Sequence, residues 1–178
     1  MSYRLFKPFV LNGVAESGKN YLGEIVKDYF YNKEHVIHFS TIDIINQMLG
    51  RLGVNLKNKT NELRICQSTI KNTLELYDPD IINKQIIEDT IKYNYNITFI
   101  DCREPRNIKR IIELFAGRGV DCKSILVYRP NVIGKYQNSK DSLVNVLNFD
   151  YDYTFENNDI KDFKRDVLKF CEQIQKGE

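Results

Sequence analysis

A lysine and two glycines near the start of the chain have the spacing of a phosphate-binding loop. Gly13, Gly18 and Lys19 fit the pattern G-x-x-x-x-G-K within the segment GVAESGK. A loop of this kind wraps backbone N–H groups around a phosphate at a helix N-terminus, where the helix dipole also favours negative charge. The glycines allow positive φ and close backbone approach, and the lysine reaches the outer phosphates. The motif therefore predicts a site for a phosphorylated ligand.

The residues on both sides of this motif have the pattern that a phosphate loop requires. Residues 9–11, Phe-Val-Leu, predict a short apolar strand directly before it. After it, apolar side chains recur at helical spacing: Leu22, Ile25, Val26, Tyr29 and Phe30. This strand–loop–helix context favours a phosphate loop over a chance match. Asn20 stands where the usual pattern has a Ser or Thr hydroxyl that ligates Mg²⁺, but its side-chain carbonyl oxygen can also bind a hard cation.

A carboxylate later in the chain is a candidate for organising that cation. Asp101 ends the apolar segment Ile-Thr-Phe-Ile at residues 97–100. Ligands gather at the carboxyl ends of strands in parallel α/β sheets, so Asp101 is placed where a Mg²⁺-organising acid belongs. The alternative is that Asp101 caps the helix opening at Pro105, since proline favours the first helical position. Position leaves both roles open, and the phosphate loop favours the site.

Apolar patterns along the chain predict strands and helices in alternation. Strands are expected at residues 9–11, 36–39, 97–101, 124–128 and 153–155. Helices are expected after the loop, behind a cap at 40–43, at about 61–77, 80–93 and 105–115, at 141–147 as a short segment, and from Ile160 onward. This order predicts a parallel sheet with helices on both faces and right-handed crossovers.

The helical segments between residues 40 and 93 each have an apolar stripe that predicts a buried face. The expected inward residues are Ile45, Met48, Leu49 and Leu52; Leu63, Cys66, Ile70 and Leu74; and Ile82, Ile86, Ile87 and Ile91. Arg64, Gln67 and Lys71 stack on a different face, at i, i+3 and i+7. The sequence pattern alone favours a solvated surface for this polar stripe.

Composition places the chain among ordinary globular proteins. It has 178 residues, 42% hydrophobic and 28% charged residues, and a formal net charge of +2. This length suits one domain with a proper core. The chain contains no basic run that would indicate nucleic acid, no apolar stretch near the ~20 residues that span a bilayer, and no signal-peptide core at its N-terminus. We therefore expect a cytoplasmic protein, or one of the host cytoplasm if a phage encodes it.

Cysteine and histidine usage disfavours a metal centre built from these residues. The four cysteines are widely separated, with no C-x-x-C pair, and the only histidines are His35 and His38. Reduced cysteines in the core of a cytosolic protein are the expected interpretation. His35 directly precedes the strand expected at 36–39 and His38 lies within it, and a structural role is favoured for both.

Several segments in this order resemble the P-loop nucleoside and deoxynucleoside monophosphate kinases, especially the phage and bacterial deoxynucleotide monophosphate kinase group. The segments are GVAESGKN, HFSTIDIINQMLG, ELRICQ, FIDCRE, VYRP and FENND. Together these segments cover nearly the whole chain. Only the phosphate loop is specific by itself, and for the other segments the resemblance rests on their order along the chain. Two differences are the R-x-x-Q spacing at ELRICQ, where the family has R-x-x-x-Q, and Asn20-Tyr21 after the lysine.

The resemblance implies a three-layer α/β P-loop NTPase fold of the adenylate kinase type, with a five-stranded parallel sheet. It implies a single kinase domain over residues 1–178, an acceptor-binding helical region at about 40–78, and a short lid at about 130–148. The implied reaction moves the γ-phosphoryl group of MgATP to a (deoxy)nucleoside monophosphate, so the cofactors are ATP and Mg²⁺. The expected partners are small-molecule nucleotides, with no nucleic acid and no membrane, and a homodimer is left open.

The resemblance also assigns roles to individual residues. Lys19, Asp101 and Arg103 are the expected catalytic residues, with Asn20 and Asp101 at the metal. The expected nucleotide contacts are Gly13, Val14, Ala15, Glu16, Ser17, Gly18, Lys19, Asn20, Tyr21 and Arg129. The expected acceptor contacts are Ser40, Asp43, Arg64, Gln67 and Arg103, and the lid residues are Lys135 and Lys140. Planar guanidinium groups suit the clamping of an acceptor phosphate.

Two other functions compete with a nucleotide kinase. The first alternative is a P-loop kinase that acts on another small phosphorylated or hydroxyl acceptor, because a fold does not determine the substrate. A catalytically degenerate nucleotide-binding protein is favoured by Asn20-Tyr21 and opposed by Asp101 with Arg103.

Overall fold

The fold is taken from a computed structural model, which describes residues 6–31, 35–58, 60–92, 96–102, 104–130, 147 and 149–177. Five parallel strands form one sheet in the order β2-β3-β1-β4-β5, with helices on both sides. The strands are β1 (Lys7–Asn12), β2 (Val36–Ser40), β3 (Ile97–Asp101), β4 (Lys123–Tyr128) and β5 (Tyr153–Glu156). The predicted α/β class, the five parallel strands and the P-loop NTPase fold are confirmed.

Six helices follow the predicted pattern closely. They are α1 (Lys19–Tyr29), α2 (Thr41–Arg51), α3 (Asn61–Tyr77), α4 (Ile81–Lys92), α5 (Pro105–Ala116) and α6 (Ile160–Lys176). The short helix expected at 141–147 and most of the lid expected at 130–148 lie outside the described residues.

The chain divides into two compact units. Residues 1–38 and 94–178 form the first, and residues 39–93 form the second. The first unit holds the sheet core, where β1, β3, β4 and β5 meet α1 and α6. Phe9 stacks on Phe99 with ring centroids 5.7 Å apart and meets Phe170 edge-on at 5.3 Å. Burying each such side chain contributes about 1.5–3 kcal/mol, so this cluster holds β1 and the end of the loop that follows it in place.

The second unit consists of α2, α3 and α4, and its predicted buried faces are only partly correct. Ile45, Ile86 and Ile87 are fully buried, as expected. Further members of the expected stripes are exposed: Met48, Leu52, Cys66 and Ile91. On α3, only Leu63 among the described residues is buried. A unit of this size has a high ratio of surface to volume, so a helix in it covers a narrower face than its apolar stripe indicates.

The cysteines are free, and three of the four are buried. Cys102, Cys122 and Cys171 fit the predicted core role, and burial raises the pKa of the Cys171 thiol to about 12. Cys66, predicted to face inward, is exposed. Among the described residues, no helix is long and apolar enough to cross a membrane.

Candidate active site

The phosphate loop connects the end of β1 to the start of α1 and depends on its two glycines. Gly13 has φ 152° and Gly18 has φ 109°. A Cβ atom built on Gly13 would stand 2.3 Å from the carbonyl oxygen of Val127 in β4. Backbone cannot yield there, so no side chain fits at position 13. The sheet and the loop are therefore in direct backbone contact, which fixes where the loop begins.

Lys19 folds over this loop. Its Nζ donates to the carbonyl oxygens of Gly13, at 2.6 Å, and Val14, at 3.1 Å. These neutral carbonyls hold the ammonium group beside the loop. Phosphate oxygens are charged acceptors and bind a cationic donor more strongly than neutral carbonyls do. The arrangement thus places the positive charge of Lys19 where the motif requires it.

The end of α1 that faces the loop suits an anion. Its N-cap residue is Gly18, which supplies no side-chain cap, and the described first turn contains no acidic residue. The positive end of the helix dipole is therefore not neutralised by a neighbouring carboxylate. Ser17 is 1% exposed, and its Oγ has no hydrogen-bond partner within the described residues. A buried hydroxyl without a partner is costly, so a ligand oxygen at this loop would satisfy a real need.

Three asparagine and tyrosine side chains brace the loop, and the sequence patterns did not identify them. Asn12 accepts from the Gly13 N–H at 2.7 Å and donates to the Tyr151 hydroxyl at 2.6 Å. Asn157 donates through Nδ2 to the carbonyl oxygen of Ser17 at 2.9 Å. The only sequence signal for them was position, since Asn12 directly precedes the motif and Asn157 lies in the FENND turn.

Other predicted loop contacts have different surroundings. Glu16 adopts φ 60°, a left-handed conformation that is uncommon for a residue with a side chain. The exposed Arg129 donates to the Glu16 carbonyl oxygen at 3.5 Å, which places this predicted nucleotide contact beside the loop. Tyr21 stacks on Phe163 with centroids 6.0 Å apart and packs against the core. Its contribution is thus to anchor α1.

Asp101 lies at the end of β3, opposite Leu11 of β1 and so close to the start of the loop. The N-cap residue of α5 is Glu104, which rules out the alternative role of Asp101 as that cap. Oδ1 of Asp101 lies 3.0 Å from Nε2 of His38 on β2. His38 is a residue that the sequence analysis placed in a structural role, and no local pattern linked it to Asp101.

A cleft of about 450 Å³ runs between α1 and the edge of the sheet. It is lined by Asn20, Gly23, Glu24, Lys27, Val36, Ile37, His38 and Phe99. The exposed Asn20 and the His38 that contacts Asp101 thus border one space. Of the two predicted metal residues, Asn20 lines this cleft, and Asp101 contacts one of its lining residues, His38.

The Asp101 carboxylate at the end of β3 fits Mg²⁺. The described residues contain no cluster of three or more histidine, cysteine, aspartate or glutamate side chains that could hold a metal. Mg²⁺ does not need one, because it keeps several waters and is usually bound by one or two carboxylates plus substrate phosphates. Oδ1 of Asp101 is buried and has no hydrogen bond within the described residues. That unsatisfied carboxylate oxygen suits a hard cation.

The predicted acceptor residues Ser40, Asp43, Arg64 and Gln67 belong to the second unit. Ser40 and Asp43 form the N-terminal cap of α2: the Asp43 carboxylate accepts from the Ser40 N–H at 2.7 Å. On α3, Gln67 donates to Asn46 at 2.6 Å, and Arg64 is exposed. Arg103, Lys135 and Lys140 lie outside the described residues.

No protein-family model matches the chain, and no curated protein sequence is significantly similar to it. Solved structures are similar in fold. The APS kinase of Mycobacterium tuberculosis, in complex with AMPPNP and APS, matches with a TM-score of 0.54 at 10% identity, over 96% of this chain and 99% of that one. The shikimate kinase of Aquifex aeolicus matches with a TM-score of 0.54 at 11% identity, over 97% and 100% of the two chains.

The chain has the P-loop NTPase fold. Identities of 10% and 11% establish this fold and nothing finer. Each of the two kinase structures is matched over nearly its whole length. The substrate has to be argued from the site.

Proposed function

We propose that the protein is an ATP-dependent phosphotransferase that acts on a (deoxy)nucleoside monophosphate. The observation that carries the proposal is the phosphate loop, with Lys19 folded over it and with an uncapped helix N-terminus behind it. The P-loop kinase fold and the order of motifs along the chain support a kinase of this kind. A bound ATP analogue in the similar APS kinase structure agrees with a nucleotide at such a loop.

In this proposal Lys19 and the loop N–H groups bind the outer phosphates of ATP. Asp101 and Asn20 would hold Mg²⁺, and the ion would supply neutralisation of charge on the transferring phosphoryl group. Phosphoryl transfer asks the protein mainly for positioning and charge stabilisation. Asn12, Tyr151 and Asn157 meet the first demand because they hold the loop in shape. Arg64 and Arg103 are assigned to the acceptor phosphate.

A hydroxyl acceptor is the second candidate, and one observation favours it. His38 lies beside Asp101, and a carboxylate next to an imidazole is a common arrangement for guiding a proton. An alcohol has a proton to lose on phosphorylation, whereas an ionised phosphate acceptor has none to lose. A small alcohol would therefore make fuller use of this pair than a nucleoside monophosphate would.

One assay separates the candidates: ADP release from MgATP, measured against ribo- and deoxyribonucleoside monophosphates and against a matched set of small alcohols and sugars. An ATP-binding titration runs beside it. Turnover with one or two monophosphates supports the main proposal, and turnover with an alcohol alone supports the second. ATP binding without turnover on any acceptor would favour a catalytically degenerate nucleotide-binding protein. A lack of ATP binding would contradict the assignment of residues 13–19 as a phosphate-binding loop.

The acceptor side has its own prediction. Arg64→Ala should raise the KM of the acceptor far more than the KM of ATP, because Arg64 is assigned to the acceptor phosphate alone. Arg165→Ala is the matched control, since Arg165 is also exposed but is paired with Asp162 on α6. If Arg64→Ala changes both KM values equally, Arg64 has no specific role at the acceptor and belongs to the solvated surface of α3.

A further inference from the structure

The contact between His38 and Asp101 joins two strands beside the loop. Nε2 of His38 and Oδ1 of Asp101 are 3.0 Å apart, and the two side chains are 27% and 25% exposed. Neither atom makes an aligned hydrogen bond within the described residues. The contact is thus close but leaves hydrogen-bonding capacity on both groups. A partner that touches a carboxylate without saturating it can orient that carboxylate and still leave it available to a ligand.

Neighbouring groups hold the imidazole in this position. The ring meets Phe99 edge-on, with centroids 6.1 Å apart and planes at 64°. A Cβ atom built on Gly23 would stand 3.3 Å from Nδ1 of His38. Gly23 lies inside α1, where glycine is disfavoured relative to alanine. The helix that begins at the phosphate loop therefore leaves room for the histidine at the point where a methyl group would crowd it.

We propose that His38 is a positioning residue, which sets the orientation of the Asp101 carboxylate for the divalent cation at the phosphate loop. The inference rests on the proposed phosphotransferase function and adds a residue to its site. Partners of metal ligands fix the orientation of those ligands, and their loss typically weakens metal affinity or activity 10–100-fold. Among the described residues, Oδ1 of Asp101 makes no hydrogen bond and lies 3.0 Å from Nε2 of His38, so the effect of losing His38 should fall on this carboxylate.

The test measures Mn²⁺ affinity by electron paramagnetic resonance, in the presence of a non-hydrolysable ATP analogue. Mn²⁺ substitutes for Mg²⁺, and the readout is independent of turnover. His38→Leu should weaken Mn²⁺ binding about 10–100-fold relative to wild type. His38→Gln should restore part of the affinity, because its amide nitrogen can donate to the carboxylate. His35→Leu is the matched control: His35 is the only other histidine, is exposed, and should leave Mn²⁺ affinity unchanged.

Turnover provides the second readout. At saturating Mg²⁺, His38→Leu should lower kcat while the KM of the acceptor stays within about twofold, since the acceptor does not depend on the Asp101 carboxylate for binding. Gly23→Ala guards against a folding artefact. Alanine favours the helix, so the melting temperature of the Gly23→Ala variant should not fall. The added methyl group displaces the imidazole, so kcat should fall, but by less than it does in His38→Leu.

Each outcome separates this inference from the proposed function. If Asp101→Asn loses Mn²⁺ while His38→Leu binds it as wild type does, the His38 role is overturned and the phosphotransferase proposal stands. If Asp101→Asn has no effect on Mn²⁺, or His35→Leu matches His38→Leu, the inference is also overturned. If the Mn²⁺ results hold but no acceptor turns over, the proposed reaction fails and the positioning role of His38 stands.

Discussion

The Lys19 ammonium group has two expected contributions, one to the stability of the free protein and one to the stabilisation of the transition state. Substituting Lys19 by alanine should separate them. We predict that Lys19→Ala lowers turnover by about 10²–10³, the effect of losing one electrostatic stabiliser of the transition state, or about 2.7–4 kcal/mol. The assay is steady-state ADP release with the acceptor identified from the panel. The cost in the transition state should exceed the cost in ATP affinity, because charge on the transferring group develops only during the reaction.

The same substitution should destabilise the free protein by a smaller amount. Two hydrogen bonds from the ammonium group, at 2.6 and 3.1 Å, are lost with the side chain. A hydrogen bond from a charged donor contributes about 1.5–3 kcal/mol when well formed, and less when solvent reaches it. Since Lys19 is half-buried, we expect a total loss of about 1–3 kcal/mol in the free energy of unfolding, measured by urea denaturation.

Lys169→Ala is the control for this experiment. It removes the same charge, but Lys169 is exposed on α6, where it pairs with Asp166, and it does not line the cleft. Turnover in this variant should stay within about twofold of wild type, as expected for an exposed surface charge. If Lys19→Ala keeps turnover within about threefold of wild type, or if Lys169→Ala falls as far, the assignment of Lys19 to the phosphates is refuted.

Two further predictions concern the shape of the loop. Gly13→Ala should cost about 2–4 kcal/mol in unfolding free energy and abolish ATP binding, since its Cβ would meet a backbone oxygen of β4 at 2.3 Å; denaturation and calorimetry check it, and a binding-competent variant would contradict it. Gly18→Ala and Asn157→Ala should each lower the free energy of unfolding. The loss in the double variant should be about 1 kcal/mol smaller than the sum of the two single losses, because a Cβ on Gly18 would stand 2.4 Å from Nδ2 of Asn157. Strictly additive losses in denaturation would show that the two side chains do not meet.

The strands and most of the helix boundaries could be predicted because local pattern determines them. The strands β1, β3 and β4 are largely buried and therefore appear as short apolar runs. All five predicted runs are flanked by glycine, proline or polar residues. Burial within the second unit was harder to predict. Cys66 and Met48 stand in apolar stripes, yet both are exposed. Whether a stripe is covered depends on the width of the neighbouring helices, which the stripe itself does not encode.

The candidate site divides in the same way. Gly13, Gly18 and Lys19 were predictable because one short motif contains all the groups that a phosphate needs at a helix N-terminus. Asn157 was not, because its contact with Ser17 spans 140 positions of sequence. Such contacts depend on which strand ends lie side by side. The strand order β2-β3-β1-β4-β5 puts β4 next to β1 and β5 next to β4, an order that the alternation of strands and helices leaves open.

His38 shows why residue type and strand position have to be combined with register. A histidine on a predicted strand is more often structural than functional, and the sequence provided no reason to depart from that expectation. The structure places its imidazole 3.0 Å from Asp101 and opposite a glycine of α1. A glycine inside a helix lowers helix stability, so its presence has to be explained by what the missing side chain makes room for. Here the group that occupies the space is His38. The helix that begins at Lys19 thus also accommodates the residue that we propose orients the Asp101 carboxylate.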